Sequence, residues 1–218
     1  MAFYTKLDQV ADQLRERIIV GTYERGEKLK QADIAAELGV SVTPVREALK
    51  TLEMEGYIVS RPHKGLCVPE VNHEEVQETV ELRLMMECDL TRRAVQQMTP
   101  AGFESLMDAQ REFVKFAKAG DLYAARAANV RFHFRLYELA QRPQSLQFVR
   151  VLWAKYPFNY RKQQTGRLKS ITKEHDAFLK YVKEGDAEKA AQAMAEHINA
   201  GWARVGSLLL EETEQKES

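Results

Sequence analysis

The chain has 218 residues, 44% of them hydrophobic, and its 32 lysines and arginines balance its 32 aspartates and glutamates. This composition is typical of a globular protein and excludes disordered and collagen-like chains. No apolar run approaches the roughly 20 residues that cross a bilayer, and no secretory leader opens the sequence, so we expect no membrane segment. The cysteines, Cys67 and Cys88, are too few for a disulfide framework, which favours a cytoplasmic protein.

Three helices are predicted in the first 55 residues. Apolar stripes predict helices at about Lys6–Val20 and Gln31–Leu38, each followed by a glycine. A third helix has Pro44 in its first turn and Ser41 or Thr43 as its cap. Its inward face is apolar and contains Val45, Ala48, Leu49 and Leu52.

A polar and basic stripe follows another face of the third helix. Thr43, Arg46 and Lys50 are spaced three and four apart, and Val42 stands at the start. Two β-prone runs then flank a Pro/Gly turn between residues 56 and 71, which predicts a hairpin. Two short helices joined by a glycine turn, the second with a basic stripe, are typical of a helix-turn-helix DNA reader. The alternative is a three-helix bundle with an ordinary polar outer face.

The residues of this segment also resemble a known family. The run QADIAAELGVSVTPVREALKTLEMEGYIVSRPHKGLCV is similar to the winged helix of the GntR family of bacterial repressors, and the likeness covers about residues 6–70. The resemblance implies that the third helix enters the major groove of DNA, with Arg46 on a base or phosphate and Thr43 on a phosphate. Lys50 shares that face. The hairpin would be the wing, and its tip residues would reach the minor groove: His63, Lys64 and Gly65.

Two positions depart from the pattern of the family. Val42 stands where relatives usually have arginine, and Gln31-Ala32 replaces a frequent Glu-Arg pair. Arginine clamps guanine or pairs with a phosphate, whereas valine offers only apolar contact, for instance to a thymine methyl. We therefore expect an operator with altered base preference or fewer phosphate contacts.

The rest of the chain is predicted to be an antiparallel helical bundle. Six helices are expected at about residues 73–98, 101–118, 121–140, 144–162, 169–184 and 187–212. Gly120, Gly166 and Gly185 are interpreted as breaks, and Asp186 as the cap of the last helix. The predicted fold class is mainly α. A winged helix-turn-helix (residues 1–70) is joined by a linker (71–75) to an all-helical effector and dimerisation domain (76–218).

Three of the five histidines fall on inward stripes of three different helices. They are His133, His175 and His197, and Asn129 lies one turn before His133. A buried imidazole needs a partner, and several converging imidazoles find one in a divalent metal. The alternative is a set of hydrogen-bonded core histidines.

This segment resembles the FCD ligand-binding domain of the FadR-type branch of the same family. The matching pieces are Glu81-Leu82-Arg83, Asn129 to His133, Glu174-His175 and Glu196-His197-Ile198. The resemblance implies that an aspartate and three histidines hold Zn, Ni or Mn, and that a small carboxylate effector completes the shell. The three histidines match, but Asn129 stands at the position of the aspartate. A neutral amide should hold a divalent cation more weakly, so a chelating acid effector and the metal would depend on each other. The competing interpretation is a site without metal.

Arg83 shares an inward stripe with Glu87. It is interpreted either as the group that grips the effector carboxylate or as an intrahelical partner of Glu87. Four aromatic residues are expected in the core or an interface rather than in the pocket: Trp153, Tyr156, Phe158 and Tyr160.

The leading hypothesis is a homodimeric transcriptional regulator, typically a repressor, that binds a palindromic operator and responds to a small acid. The junction at residues 69–75 is its expected moving part. The alternatives are a metal-dependent hydrolase or dioxygenase fused to a DNA-binding domain, and a constitutive DNA-binding protein. No general base can be nominated for an enzyme except Glu174 or Glu196, and the positions of both are predicted to point outward.

Overall fold

The computed structural model describes residues 5–71, 73–156 and 164–216, with side chains for all of these except 73, 74, 164–166 and 204–216. The described chain is helical apart from one two-stranded sheet. The elements are α1 (Lys6–Val20), α2 (Gln31–Leu38), α3 (Val42–Met54), β1 (Val59–Arg61), β2 (Gly65–Cys67), α4 (His73–Gln96), α5 (Pro100–Ala119), α6 (Leu122–Leu139), α7 (Pro143–Lys155), α8 (Gln164–Glu184) and α9 (Ala187–Lys216). The predicted fold class is confirmed.

The helices α1 to α3 form a small core because each buries one apolar stripe. α1 begins with a capping box between Thr5 and Asp8, and α2 ends at Gly39, whose φ of 65° suits a residue without a Cβ. Four side chains of α3 are fully buried: Val45, Ala48, Leu49 and Leu52. This burial leaves the opposite face of α3 open to solvent.

The strands β1 and β2 form the predicted wing. They pair antiparallel, with Val59 opposite Cys67 and Arg61 opposite Gly65. A segment before α2 extends this sheet, since the Leu29 amide donates to the Leu66 carbonyl at 2.9 Å. The wing is therefore anchored at its base by a third piece of extended backbone.

The chain divides into two compact units, Met1–Asn72 with Trp153–Asn159 and His73–Leu152 with Tyr160–Ser218. Trp153 and Tyr156 are buried in the first unit, and Arg25 donates to the Tyr156 carbonyl there at 2.7 Å. The predicted core position holds for these two aromatics. Phe158 and Tyr160 lie outside the described residues.

The second unit is the helical bundle of α4 to α9, in which α5 packs on α6 and α4 on α9. Asp186 caps α9 as predicted, accepting from the Lys189 amide at 3.0 Å. Two predicted bounds were wrong: α7 ends at Lys155, and α8 begins at Gln164 rather than near residue 169. Gly166 therefore lies inside α8 and does not break it, because an isolated glycine in a helix costs only about 1 kcal/mol. No helix in the described parts is both long and apolar enough to span a bilayer.

Candidate metal centre and nucleic-acid interface

The outer face of α3 is exposed at every position that the sequence predicts to contact DNA. Val42 is 44% exposed, and Thr43, Arg46 and Lys50 are exposed as well. The charged groups of Arg46 and Lys50 both lie 3.4 Å from one carboxylate oxygen of Glu47. Exposed pairs of this kind contribute little, so both cations are available to an anionic surface.

The tip of the wing is also exposed, with His63 and Gly65 both at positive φ in a tight turn. A further cation stands beside it that the sequence analysis missed. Lys28 pairs with Cys67 in an isolated bridge, and its Cε lies 3.7 Å from where a Cβ on Gly65 would be. Only the pairing of two distant segments brings Lys28 there, so no local pattern could have indicated it.

Within the second unit, α6, α8 and α9 bring three imidazoles together. One nitrogen of each of His133, His175 and His197 lies within 4.8 Å of the others. The ring centroids are 5.0 to 5.3 Å apart. The predicted convergence of the three histidines is therefore confirmed, and the donor set suits a divalent transition metal.

His175 is held by α5 and by an aromatic neighbour. Its Nδ1 lies 2.8 Å from Oε1 of Gln110, and the Gln110 amide nitrogen donates to Asp176 at 3.2 Å. That second bond turns the Gln110 oxygen towards the imidazole, so Nδ1 of His175 donates. Phe132 stacks on the ring with centroids 4.1 Å apart, which fixes its plane.

His133 is held through a tyrosine and a buried glutamate. Its Nδ1 lies 3.2 Å from the hydroxyl of Tyr137, and that hydroxyl donates to Oε2 of Glu87 at 2.5 Å. Burial raises the pKa of Tyr137 well above its usual value, and the neighbouring Glu87 carboxylate raises it further, so the phenol keeps its proton. Because that single proton is directed to Glu87, the oxygen accepts from Nδ1 of His133.

His197 is held directly by a carboxylate. Its Nδ1 lies 2.7 Å from Oε2 of Glu174, and Oε1 of the same carboxylate accepts from Arg167 at 3.1 Å. The prediction that Glu174 points outward was wrong, because its long side chain reaches across from α8 to α9. Glu196 lies on the exposed surface, as predicted.

Each of the three imidazoles thus uses Nδ1 as a donor, which leaves the Nε2 lone pair for the centre. Nε2 of His175 is buried with no hydrogen-bond partner among the described residues, and so is one further atom, Oδ1 of Asn129. Buried acceptors of this kind are rare in folded proteins. The residues therefore fit a metal, with Asn129 one turn before His133 on α6.

Burial lowers the pKa of all three imidazoles below the ordinary 6.5, and their mutual repulsion adds to this for His133 and His175. Hydrogen bonding to Glu174 opposes the shift at His197 without cancelling it. The histidines are therefore neutral at pH 7, the form in which imidazole binds a metal.

The metal-free protein should lose stability as the pH falls below about 6.5. The unfolded chain binds a proton at each of these histidines there, whereas burial in the folded chain opposes that protonation, so each histidine favours unfolding by at most about 1.4 kcal/mol per pH unit. Urea denaturation between pH 5 and 7.5, after treatment with chelator, measures this slope.

One variant tests the origin of that slope. His175→Phe keeps a ring against Phe132 and should reduce the slope. Equal slopes in His175→Phe and the unsubstituted protein would contradict the assignment.

Arg83 is buried and pairs with Glu87 through its Nε at 2.6 Å. The intrahelical pair that the sequence offers as one interpretation is therefore present. The charge of Arg83 contributes to the lowered pKa of His133 and His197, which places the guanidinium within electrostatic reach of the centre. Its contact with an effector stays a prediction.

Family models match both parts of the chain. Residues 78–200, more than half of the sequence, match the FCD domain, and residues 6–68 match the gntR family of bacterial regulatory proteins. The chain is 24% identical over 192 residues to the HTH-type transcriptional regulator McbR of Escherichia coli (strain K12), covering 86% of this chain and 87% of that protein. It is 28% identical over 211 residues to the Exu regulon transcriptional regulator of Escherichia coli (strain K12), covering 87% and 80%.

Solved structures show the same fold. The structure of E. coli McbR/YncC aligns with a TM-score of 0.86 and 23% identity, covering 96% of this chain and all of that one. A GntR transcriptional regulator from Rhodococcus sp. RHA1 aligns with a TM-score of 0.74 and 23% identity, covering 92% and 97%.

Proposed function

The chain belongs to the GntR family of bacterial regulatory proteins and carries an FCD domain, and from that premise we propose that it is a repressor whose affinity for DNA is lowered or raised by a small carboxylic acid. The acid binds in the helical unit together with a divalent metal. The observation that carries this proposal is the cage of three neutral imidazoles, with the buried amide oxygen of Asn129 one turn before His133 on α6.

The cage has the composition of a metal site that needs a ligand from outside. Three imidazoles and an amide supply four neutral donors, so a bound Zn, Ni or Mn ion would keep its full charge. A chelating carboxylate neutralises that charge. His133, His175, His197 and Asn129 would hold the metal, which supplies an electrophilic anchor for the acid.

On the DNA side, we propose that a homodimer reads a palindromic operator with two copies of α3. Arg46 contacts a base or phosphate, Thr43 and Lys50 contact phosphates, and Val42 offers its methyl groups to a thymine. His63, Lys64 and Gly65 of the wing follow the neighbouring minor groove. Linkage then requires the acid to bind the DNA-competent and incompetent states unequally.

We propose no catalysis at this centre. The carboxylate that could act as a general base, Glu174, is engaged by His197 and Arg167. The related proteins named above are transcriptional regulators. A bound acid that is recovered unchanged after prolonged incubation with the metal-loaded protein would agree with this assignment.

The metal and the acid are tested first on purified protein. Elemental mass spectrometry of untagged protein, prepared without chelator, should find a near-stoichiometric divalent metal. A metal-free protein that stays metal-free with added Zn²⁺ and candidate acids would overturn the metal part and leave a purely organic site.

Arg46→Ala should weaken operator binding by about 5- to 150-fold, the 1–3 kcal/mol of a good arginine contact. Operators are first selected from genomic fragments with the purified protein, and binding is then measured by fluorescence anisotropy at fixed salt. Arg111→Ala removes the same charge from an exposed position on α5 and serves as the control. Equal affinities for the two variants would contradict the role of α3.

A further inference from the structure

Each histidine of the cage has a different kind of support behind it. His197 is backed directly by the carboxylate of Glu174, His133 by Tyr137 and then Glu87, and His175 by the neutral amide of Gln110. Two carboxylates, each paired with an arginine, thus stand behind an inner set of neutral donors. This arrangement is the feature that the function proposed above does not use.

We propose that Glu174 and the Glu87–Tyr137 pair are positioning residues that lock His197 and His133 in the Nδ1–H tautomer and offset the positive charges of Arg83 and Arg167 beside the cage. This inference rests on the proposed metal centre. A carboxylate behind a ligating imidazole makes the ring a stronger donor, and its loss typically costs 10- to 100-fold in metal affinity.

The burial of these groups makes their charges effective. Glu87 is fully buried and Glu174 is 21% exposed, so neither charge is fully screened by water. Each carboxylate is itself fixed by a guanidinium, Glu87 by Arg83 and Glu174 by Arg167. The two arginines therefore hold the supporting groups in place, and removal of a carboxylate would turn an ion pair into a net positive charge beside the cage.

Glutamine at position 174 separates orientation from charge. Its amide oxygen still accepts from Nδ1 of His197, just as Gln110 accepts from His175, but the negative charge is gone. Glu174→Gln should therefore keep the tautomer and lose about 10- to 100-fold in Zn²⁺ affinity. Glu196→Gln is the matched control, because it removes an exposed carboxylate from the residue directly before His197. Glu174→Asp, which keeps the charge, should recover part of the affinity.

Two measurements carry the test. Long-range ¹H–¹⁵N correlation spectra of the metal-free protein report the tautomer of each histidine, and competition with a chelating indicator gives the Kd for Zn²⁺. We expect Nδ1–H at all three histidines, with a shift of His133 to mixed tautomers in Tyr137→Phe. A structural role alone would leave these spectra unchanged wherever the variant is folded.

The outcomes are separable. Nε2–H tautomers at His133 or His197 would overturn the positioning role, and Zn²⁺ affinities within twofold for Glu174→Gln and Glu196→Gln would overturn the charge role. A protein that binds no Zn²⁺ at all would overturn the metal centre and the charge role with it. Nδ1–H tautomers in that same protein would still confirm the positioning of the imidazoles.

Discussion

Replacement of Glu87 by alanine is expected to destabilise the helical unit by about 3–5 kcal/mol, the usual cost of removing one partner of a buried ion pair. Glu87 is fully buried and bonds to Nε of Arg83 at 2.6 Å and to the hydroxyl of Tyr137 at 2.5 Å. Without it, the guanidinium of Arg83 stays buried near the imidazoles of His133 and His197 with its carboxylate gone. Urea denaturation followed by circular dichroism measures the loss.

Two matched variants separate this effect from a general loss of packing. The double variant Arg83→Met with Glu87→Met removes both charges and fills similar volume, so it should recover most of the lost stability. Glu188→Ala breaks the exposed ion pair with Arg92, another residue of α4, and should lower the free energy of unfolding by at most about 1 kcal/mol. A free energy of unfolding of Glu87→Ala within 1 kcal/mol of that of the unsubstituted protein would show that the Arg83–Glu87 pair does not stabilise this bundle.

Most of the fold could be predicted from the sequence, because helical periodicity, caps and turn residues indicate the same elements along the chain. The stripe of α1 and the inward face of α3 predicted their buried residues, since helical periodicity alone decides which side chains meet the core. Gly166 and the end of α7 were predicted wrongly, because packing in the bundle overrides the weak preference of a single glycine. The end of a helix depends on neighbours that the local sequence does not contain.

The candidate site also has residues that could be predicted from the sequence and residues that could not. The convergence of His133, His175 and His197 could be predicted, because each imidazole lies on the apolar stripe of its own helix. The supporting groups could not, since Tyr137 meets Glu87 from another helix, and the reach of Glu174 depends on how α8 packs on α9. Long polar side chains leave their nominal stripe whenever a partner on a neighbouring helix is available.

Asn129→Asp is expected to bind Zn²⁺ about tenfold or more tightly in the absence of any acid, a gain of about 1.4 kcal/mol. The physical reason is charge, because a carboxylate would replace a neutral amide oxygen among neutral imidazoles. Under the proposed function an acid would supply that charge in the unsubstituted protein, so metal and acid should raise each other's affinity by about 5- to 150-fold. In the variant the coupling factor should fall towards 1, so that metal and acid bind independently. Titrations of Zn²⁺ with and without oxalate, a minimal chelating dicarboxylate, measure both quantities.

Stability gives an independent readout of the same substitution. Without metal, Asn129→Asp places a carboxylate in a half-buried position with no cation, so the apoprotein should be less stable than the unsubstituted one. With saturating Zn²⁺ the order should reverse, because ligand binding adds to stability in proportion to affinity. Asn199→Asp makes the same chemical change at an exposed position of α9 and should show neither effect. A variant at position 129 that is destabilised equally with and without Zn²⁺ would mean that Asn129 is not a metal ligand.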